Sequence, residues 1–240
     1  MALIYVGGGS AVGTGTTYSV DLTALTGGSD TIAREGDIVV VGTGWCTSVG
    51  ADADPTMSTS GYTEFHTDLW ANDTREANFV SAYKIMGATP DTTAVANGPN
   101  DGANAGGIVL QVWRNVDIGT PVDVTATTST ATNNARPDSP AITPVTYGCI
   151  IISTGIGTQA TTNTDTHTAP TSFTNAISVH SDGSGSDAII DIASYDGWSS
   201  GSYNPAAWTG GASTTSDGSC AASIVLRPKP IIFVRKTRPF

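Results

Sequence analysis

The hydrophobic pattern is clearest between Gly106 and Asp117, where Ile108, Leu110, Val112 and the methylene stem of Arg114 alternate with Val109, Gln111 and Trp113. A β-branched and aromatic run of this kind, bounded by Gly and Asp, predicts a central strand. A weaker copy, Ala221-Ala222-Ser223-Ile224-Val225-Leu226-Arg227-Pro228, lies near the other end. Further echoes follow the same order. Gly36-Asp37-Ile38-Val39-Val40-Val41-Gly42 is answered by Gly148-Cys149-Ile150-Ile151-Ile152-Ser153, Gly61-Tyr62-Thr63-Glu64 by Ser172-Phe173-Thr174-Asn175, and Ser81-Ala82-Tyr83 by Ala193-Ser194-Tyr195. The offsets are 112, 111 and 112, with 116 for Ile108-Val109-Leu110 against Ile224-Val225-Leu226. Such spacing predicts an internal repeat of two similar four-strand halves. Four strands rarely make an independent core, so the halves are expected to pack as one antiparallel, jelly-roll-like β-sandwich.

In chain order, Ala2 to Val6 reads as a short strand and Gly7 to Thr16 as a loop. The run from Tyr18 to Leu25 alternates, and the Gly36-Asp37 turn launches a strand over Ile38 to Thr43 whose continuous apolar character predicts burial on both faces. Strands are also expected over Gly61 to Leu69, Asn78 to Met86, Phe173 to Val179 and Ala188 to Tyr195. The Thr/Ala/Ser/Asn/Pro-rich stretch 125–144 suits a crossover between halves at 1–124 and 145–226. A single all-β domain over 1–226 therefore precedes a basic C-terminal segment, 227–240.

Composition supports this and narrows function. Only 13% of the 240 residues are charged, and Thr, Val, Ile and Gly outnumber good helix formers. A net charge of −11 argues against nucleic-acid binding, which needs clustered cations. All 21 acidic residues lie between Asp21 and Asp217, whereas Arg227, Lys229, Arg235, Lys236 and Arg238 supply half of the basic ones. The body is acidic and the tail basic. Cys46, Cys149 and Cys220 show no zinc spacing and read as small buried hydrophobes. No stretch approaches the roughly 18 apolar residues of a membrane span, and Met1-Ala2-Leu3-Ile4-Tyr5-Val6 lacks the basic start of a secretory signal, so a soluble protein made in a cytoplasm is expected.

Catalytic patterns are weak. Gly8 and Gly13 are followed by Thr14 where a phosphate loop requires Lys. His66 with Asp68, and Asp165 with His167, each stand two apart and so share a face of an extended chain, but no nucleophile elbow or His-Glu-x-x-His accompanies them. Glu35, Glu64 and Glu76 are the only glutamates, and most Asp residues sit in turns, so a paired-carboxylate glycosidase is not expected. Asp182-Gly183-Ser184-Gly185-Ser186-Asp187 offers alternating oxygen ligands but lacks the bidentate Glu of a calcium loop, and reads as a hairpin turn. Neither an enzyme nor a cofactor is expected.

Several framework segments resemble a family of tailed-bacteriophage and prophage virion-associated proteins. They are Gly36-Asp37-Ile38-Val39-Val40, Gly61-Tyr62-Thr63-Glu64, Tyr83-Lys84-Ile85-Met86-Gly87-Ala88-Thr89-Pro90-Asp91, Gln111-Val112-Trp113-Arg114-Asn115-Val116-Asp117 with Thr120-Pro121-Val122-Asp123-Val124, and Leu226-Arg227-Pro228. The similarity runs over residues 2–228, with Asn115 where family members often carry Gly. It implies a virion location, as capsid decoration, fibre or tail protein, with capsid or tail subunits as partners. A homo-oligomer is implied too; trimers are common in phage appendages, although no coiled coil here demands one. The apolar-then-basic run Ile231, Ile232, Phe233, Val234, Arg235, Lys236 with Arg238 is the expected partner-binding segment, adding to a sheet edge or groove of a neighbouring virion subunit, with completion of its own domain's sheet as the equal alternative. The alternative is a host-recognition module in which Trp198, Tyr203 and Trp208 stack on the sugar rings of a surface glycan.

Overall fold

A computed structural model describes residues 1–48, 54–71, 74–98, 105–159, 165–183, 186–211 and 217–230. The first half supplies β1 (Ile4–Gly13), β2 (Thr17–Asp21), β3 (Ile38–Ser48), β4 (Thr63–Glu64), β5 (Leu69–Ala71), β6 (Arg75–Ile85), β7 (Thr93–Asn97) and β8 (Gly106–Arg114). The second supplies β9 (Thr127–Ala131), β10 (Ile150–Gln159), β11 (His167–Thr168), β12 (Thr174–Ser181), β13 (Asp187–Tyr195), β14 (Thr209–Gly210) and β15 (Ser219–Leu226). No helix occurs among the described residues.

Each half keeps its framework strands in one antiparallel sheet. The first is ordered β4-β6-β3-β8-β1, with β5 also on β6, and the second β12-β13-β10-β15-β9. Numbered within its own half, each sheet has the order 3-4-2-5-1, so the repeat read from the chain is a repeat of topology. The halves carry five framework strands each, not four, because β1 and β9 both pair as edges. The framework chain passes between the sheets once, after β8, so each sheet is one contiguous half of the chain.

Register corrects two of the offsets. Ile38 pairs with Trp113 and Ile150 with Leu226, so Trp113 and Leu226 are equivalent at an offset of 113, not 116. Thr63 pairs with Tyr83 and Thr174 with Ser194, which makes Tyr83 the counterpart of Ser194 and not of Tyr195. Both errors are odd, and an odd slip turns a side chain to the other face of the sheet. Accordingly Ile108 packs outside the first sheet while Ile224 lies between the sheets, and Tyr83 packs on that inner core while Tyr195 lies outside. Similar letters drew the match, but pairing decides equivalence.

One inner core, including Ile38, Val40, Phe79, Val109, Ile152, Ile190 and Ile224, joins both sheets. The sandwich therefore cannot be divided without exposing it. Outside the first sheet, Val39, Val41, Ile108, Leu110 and Val112 pack beneath Tyr18, Val20, Leu22 and Leu25, with the β2–β7 ribbon on top. Burial on both sides explains the unbroken apolar runs of β3 and β8. The Ile142–Tyr203 bridge is the second half's counterpart of that ribbon, and β11–β14 is the counterpart of the Met57–Ala96 bridge.

Two low-complexity stretches expected as loop or crossover are strands. In β1 a Cβ at Gly8 would come 2.6 Å from the Tyr5 hydroxyl and 2.5 Å from Ile177 Cδ1, so the glycine run keeps the strand close to its neighbours. In the crossover, Thr127–Ala131 forms β9 because β15 offers an open row of backbone donors and acceptors.

Candidate assembly site

The end of the sandwich where the chain leaves is built from matched parts. Gly36 and Gly148 occupy equivalent turns with φ of 79° and 76°, the left-handed region that glycine enters at least cost. Beside the first turn, Arg114 clamps Asp37 through two 2.8 Å bonds, Nε to Oδ1 and Nη2 to Oδ2, and Asp37 also accepts the Arg34 N–H. The second half keeps the arginine, as Arg227, but holds Cys149 where Asp37 stands. Asp123 supplies the carboxylate instead, accepting Arg227 Nε at 3.1 Å and the Val145 and Thr146 N–H groups at 2.7 and 3.0 Å. Burial alone would raise the Asp123 pKa; the bonds from Thr146, Val145 and Arg227 outweigh it and hold the carboxyl below its ordinary value. Burial pushes the Cys149 thiol up to about 12, as expected of a small buried hydrophobe.

The two half-ends pair with each other. Asp117 N–H donates to the Arg227 carbonyl at 2.9 Å and Lys229 N–H to the Asn115 carbonyl at 2.7 Å, around a bridge between Val116 and Pro228. Asn115 sits at φ 67° and sends Nδ2 to the Ala2 carbonyl, while the Met1 amine reaches the Lys229 carbonyl at 2.8 Å. Residues 227–230, expected as part of a separate C-terminal segment, are thus bonded into the folded body. Ile231, Ile232, Phe233, Val234, Arg235, Lys236 and Arg238 lie outside the described residues.

Between the sheet ends at this pole opens a groove of about 900 Å³, lined by Leu3, Tyr5, Trp113, Tyr147, Ile150 and Pro228 among others. Trp113 lies against Tyr5, ring centroids 5.3 Å apart, with its indole N–H on Gln111 Oε1 at 3.1 Å. Burial pushes the Tyr5 hydroxyl up to about 12. Tyr147 is 80% exposed and Met1 58%, both on the groove, next to Val145 at 67%. Asp117 and Asp196 also border it, and Pro230, where the described chain ends, is part of its wall. Composition and periodicity did not point to this groove, because it forms where residues far apart in sequence meet at the open end of two sheets.

The expected glycan-binding aromatics do not form one surface. Trp208 is fully buried and donates its indole N–H to Ser153 Oγ at 2.9 Å, so no face of it is open to a sugar. This corrects the expectation: a Trp in a Gly/Ser/Pro-rich loop is here the plug over the second sheet. Trp198 and Tyr203 are partly buried against Ile142, Cys149, Ile151 and Val225, Tyr203 stacking on Tyr195 with centroids 4.5 Å apart and Trp198 bonding the Gly201 carbonyl.

The histidines pair differently from their sequence neighbours. His167 Nδ1 lies 2.6 Å from Asp191 Oδ2 with both side chains fully buried, so the pair offers no surface to a substrate. His66 accepts Ser81 Oγ–H on Nε2 at 2.6 Å while its Nδ1–H meets the Thr67 carbonyl at 2.7 Å. That is the geometry of a nucleophile and its base, but Ser81 is fully buried and its oxygen cannot meet a substrate carbonyl. Burial lowers the His66 pKa, partly offset by the Thr67 bond. Asp187 Oδ1 accepts the Gly183 N–H at 3.2 Å, the local bond of a turn, while Ser184 and Gly185 of the Asp182–Asp187 loop lie outside the described residues. Among the described residues no three His, Cys, Asp or Glu side chains converge as metal ligands.

No protein-family model matches the chain, and no curated protein or solved structure matches it significantly. The resemblance to virion-associated proteins rests on the framework residues alone.

Proposed function

We propose that this protein is a non-enzymatic structural component of a bacteriophage virion, displayed on the particle surface as capsid decoration, fibre component or tail protein and held by contacts with capsid or tail subunits. The observation that carries this reading is the chain-exit pole: a groove of about 900 Å³ with exposed Met1 and Tyr147 on it, followed in sequence by an apolar-then-basic segment. An exposed apolar patch beside a groove marks a site of contact with another surface. The resemblance of the framework segments supplies the virion setting. Cutting the chain after Pro230 leaves every described bond of the body intact, so the truncated protein should fold with an unchanged melt and fail to join particles. Labelled full-length protein should appear on intact particles by electron microscopy. A truncated chain that still joins particles would overturn the role of the segment, and unlabelled particles the virion reading.

The alternative, a host-glycan-binding module, is left with Tyr203 in the partly exposed Phe173–Tyr195–Tyr203 aromatic group and with Trp198 packed on the same apolar cluster. Glycan-array binding that is lost in a Trp198→Ala variant would favour it.

A further inference from the structure

We propose that the groove at the chain-exit pole is the receptor for Ile231–Val234 of a second copy of this chain, so that copies join by exchanging C-terminal segments. The inference rests on the reading above of the chain as an assembly module and names the partner for that pole.

The repeat says where a chain leaving this pole goes next. After the first half, the chain turns at Ile118–Thr120 and Pro121–Asp123 pairs along the end of β15, through Arg227 N–H to the Pro121 carbonyl and Asp123 N–H to the Val225 carbonyl, both 2.9 Å. The equivalent place along the end of β8 is already taken: Ile4 pairs with Arg114 and Tyr5 with Trp113, and Met1 is tied to the Lys229 carbonyl. The place beside β8 that the repeat would assign to the residues following Pro230 is therefore occupied by the chain's own start.

Nor does the sequence favour a return into the chain's own groove. Proline fixes its own φ, and the residue before a proline is driven to extended backbone, so Pro228-Lys229-Pro230 leaves as a stiff, extended stretch. Lys229 and Pro230 are both exposed. From Ile231 to Arg238 there is no Gly, Asn or Asp with which to reverse direction, and Ile231-Ile232-Phe233-Val234 is strand-forming. Four extended residues span roughly 13 Å, a length suited to laying alternate side chains into an apolar groove.

The groove matches that segment in two ways. Its floor of Leu3, Tyr5, Trp113 and Ile150 is apolar and aromatic, as four apolar side chains require. Its border carries Asp117 and Asp196, and the chain before Ile231 holds all 21 acidic residues, whereas Arg235, Lys236 and Arg238 follow the apolar run with no acid among them. A basic end next to an acidic body favours the approach of two copies and fixes the direction in which the segment lies.

The test is solution mass, read by light scattering during gel filtration. The full chain should run at a multiple of 24.4 kDa, and the chain cut after Pro230 as a monomer with an unchanged melt. Tyr147→Glu places a charge on an exposed position of the groove, and this full-length variant should also be monomeric. Mixing it with the cut chain, which has an open groove but no segment, should restore a complex of one copy of each. Phe233→Asp in the full-length variant should abolish that complex. A monomeric full chain, or a mixture that stays at monomer mass, overturns the exchange. Particle incorporation is scored separately: a monomeric full chain that still enters particles sinks the exchange and keeps the virion reading, while an oligomeric chain that never enters particles does the opposite.

Discussion

Outside the first sheet, β2, β7 and the 22–33 segment bury Val39, Val41, Leu110 and Val112 under Val20, Leu22 and Leu25. Outside the second, the cover is held by hydrogen bonds. Trp208 donates to Ser153, Ser153 shares a 2.8 Å bond with Ser139, Ser139 reaches the Ala222 carbonyl, and His167 meets Asp191. The strands beneath differ accordingly: towards the cover β3 turns Val39, Val41 and Trp45 and β8 turns Ile108, Leu110 and Val112, while β10 carries Ser153, Gly155, Gly157 and Gln159 on its outer side. Gly157 shows why. A Cβ there would stand 1.7 Å from the Ala135 carbonyl oxygen, so the crossover lies directly on the sheet through backbone and not through side chains. One topology therefore accepts two kinds of cover. An apolar cover is non-directional and tolerates sliding, whereas a bonded cover sets one position.

The comparison can be broken most sharply in the apolar cover. Leu110→Ala removes a fully buried side chain and should lower unfolding free energy by about 4 kcal/mol in a denaturant titration. Trp208→Phe in the bonded cover keeps most of the volume and loses one hydrogen bond, so about 1 kcal/mol is expected. Equal losses would mean that the covers do not differ as described.

The matched clamps sharpen the likeness instead. Asp37→Ala leaves Arg114 only its 3.4 Å contact with Asp30 and the Arg34 N–H without its acceptor, Asp123→Ala strips Arg227 and the Val145 and Thr146 N–H groups of theirs, and each should cost about 3 kcal/mol. An Asp123 variant that melts like the wild type would show that the second half replaced the first half's clamp in position only.

The smallest effect is a pH dependence specific to the first half. Burial lowers the folded-state pKa of His66, so as pH falls below about 6.5 the unfolded chain takes up a proton that the folded chain refuses. Stability attributable to neutral His66 is complete above that pH, declines as pH falls towards the folded-state pKa, and is flat below it. Melts recorded from pH 7.5 to 5 should show the decline in the wild type and a shallower one in His66→Gln. An identical slope in both would assign the dependence elsewhere.

Legibility along the chain followed side-chain content. β3, β6, β8, β13 and β15 announce themselves because burial demands apolar side chains, and their ends were readable to within about three residues except in β3, which runs on to Ser48 where a loop was expected from Gly44. β1 beyond Val6 and all of β9 were not, since a run of Gly or of Thr and Ser becomes a strand only when a neighbouring strand pairs with it. The groove was hidden for a related reason: Leu3, Trp113, Tyr147 and Ile150 meet only after both sheets have closed. Trp208 was misread because Gly, Ser and Pro around it signal a loop but not which way the loop folds.

By itself the sequence determined an all-β chain of two similar halves packed on one core, with an acidic body and a basic end, because residue type and order settle periodicity, composition and charge. Tertiary structure alone decided which residues of the halves are equivalent, that Asp123 replaces Asp37, that Trp208 is a plug, and that the chain leaves beside an open groove. Each of those depends on which strand lies next to which, and a strand's register is set by the partner it meets.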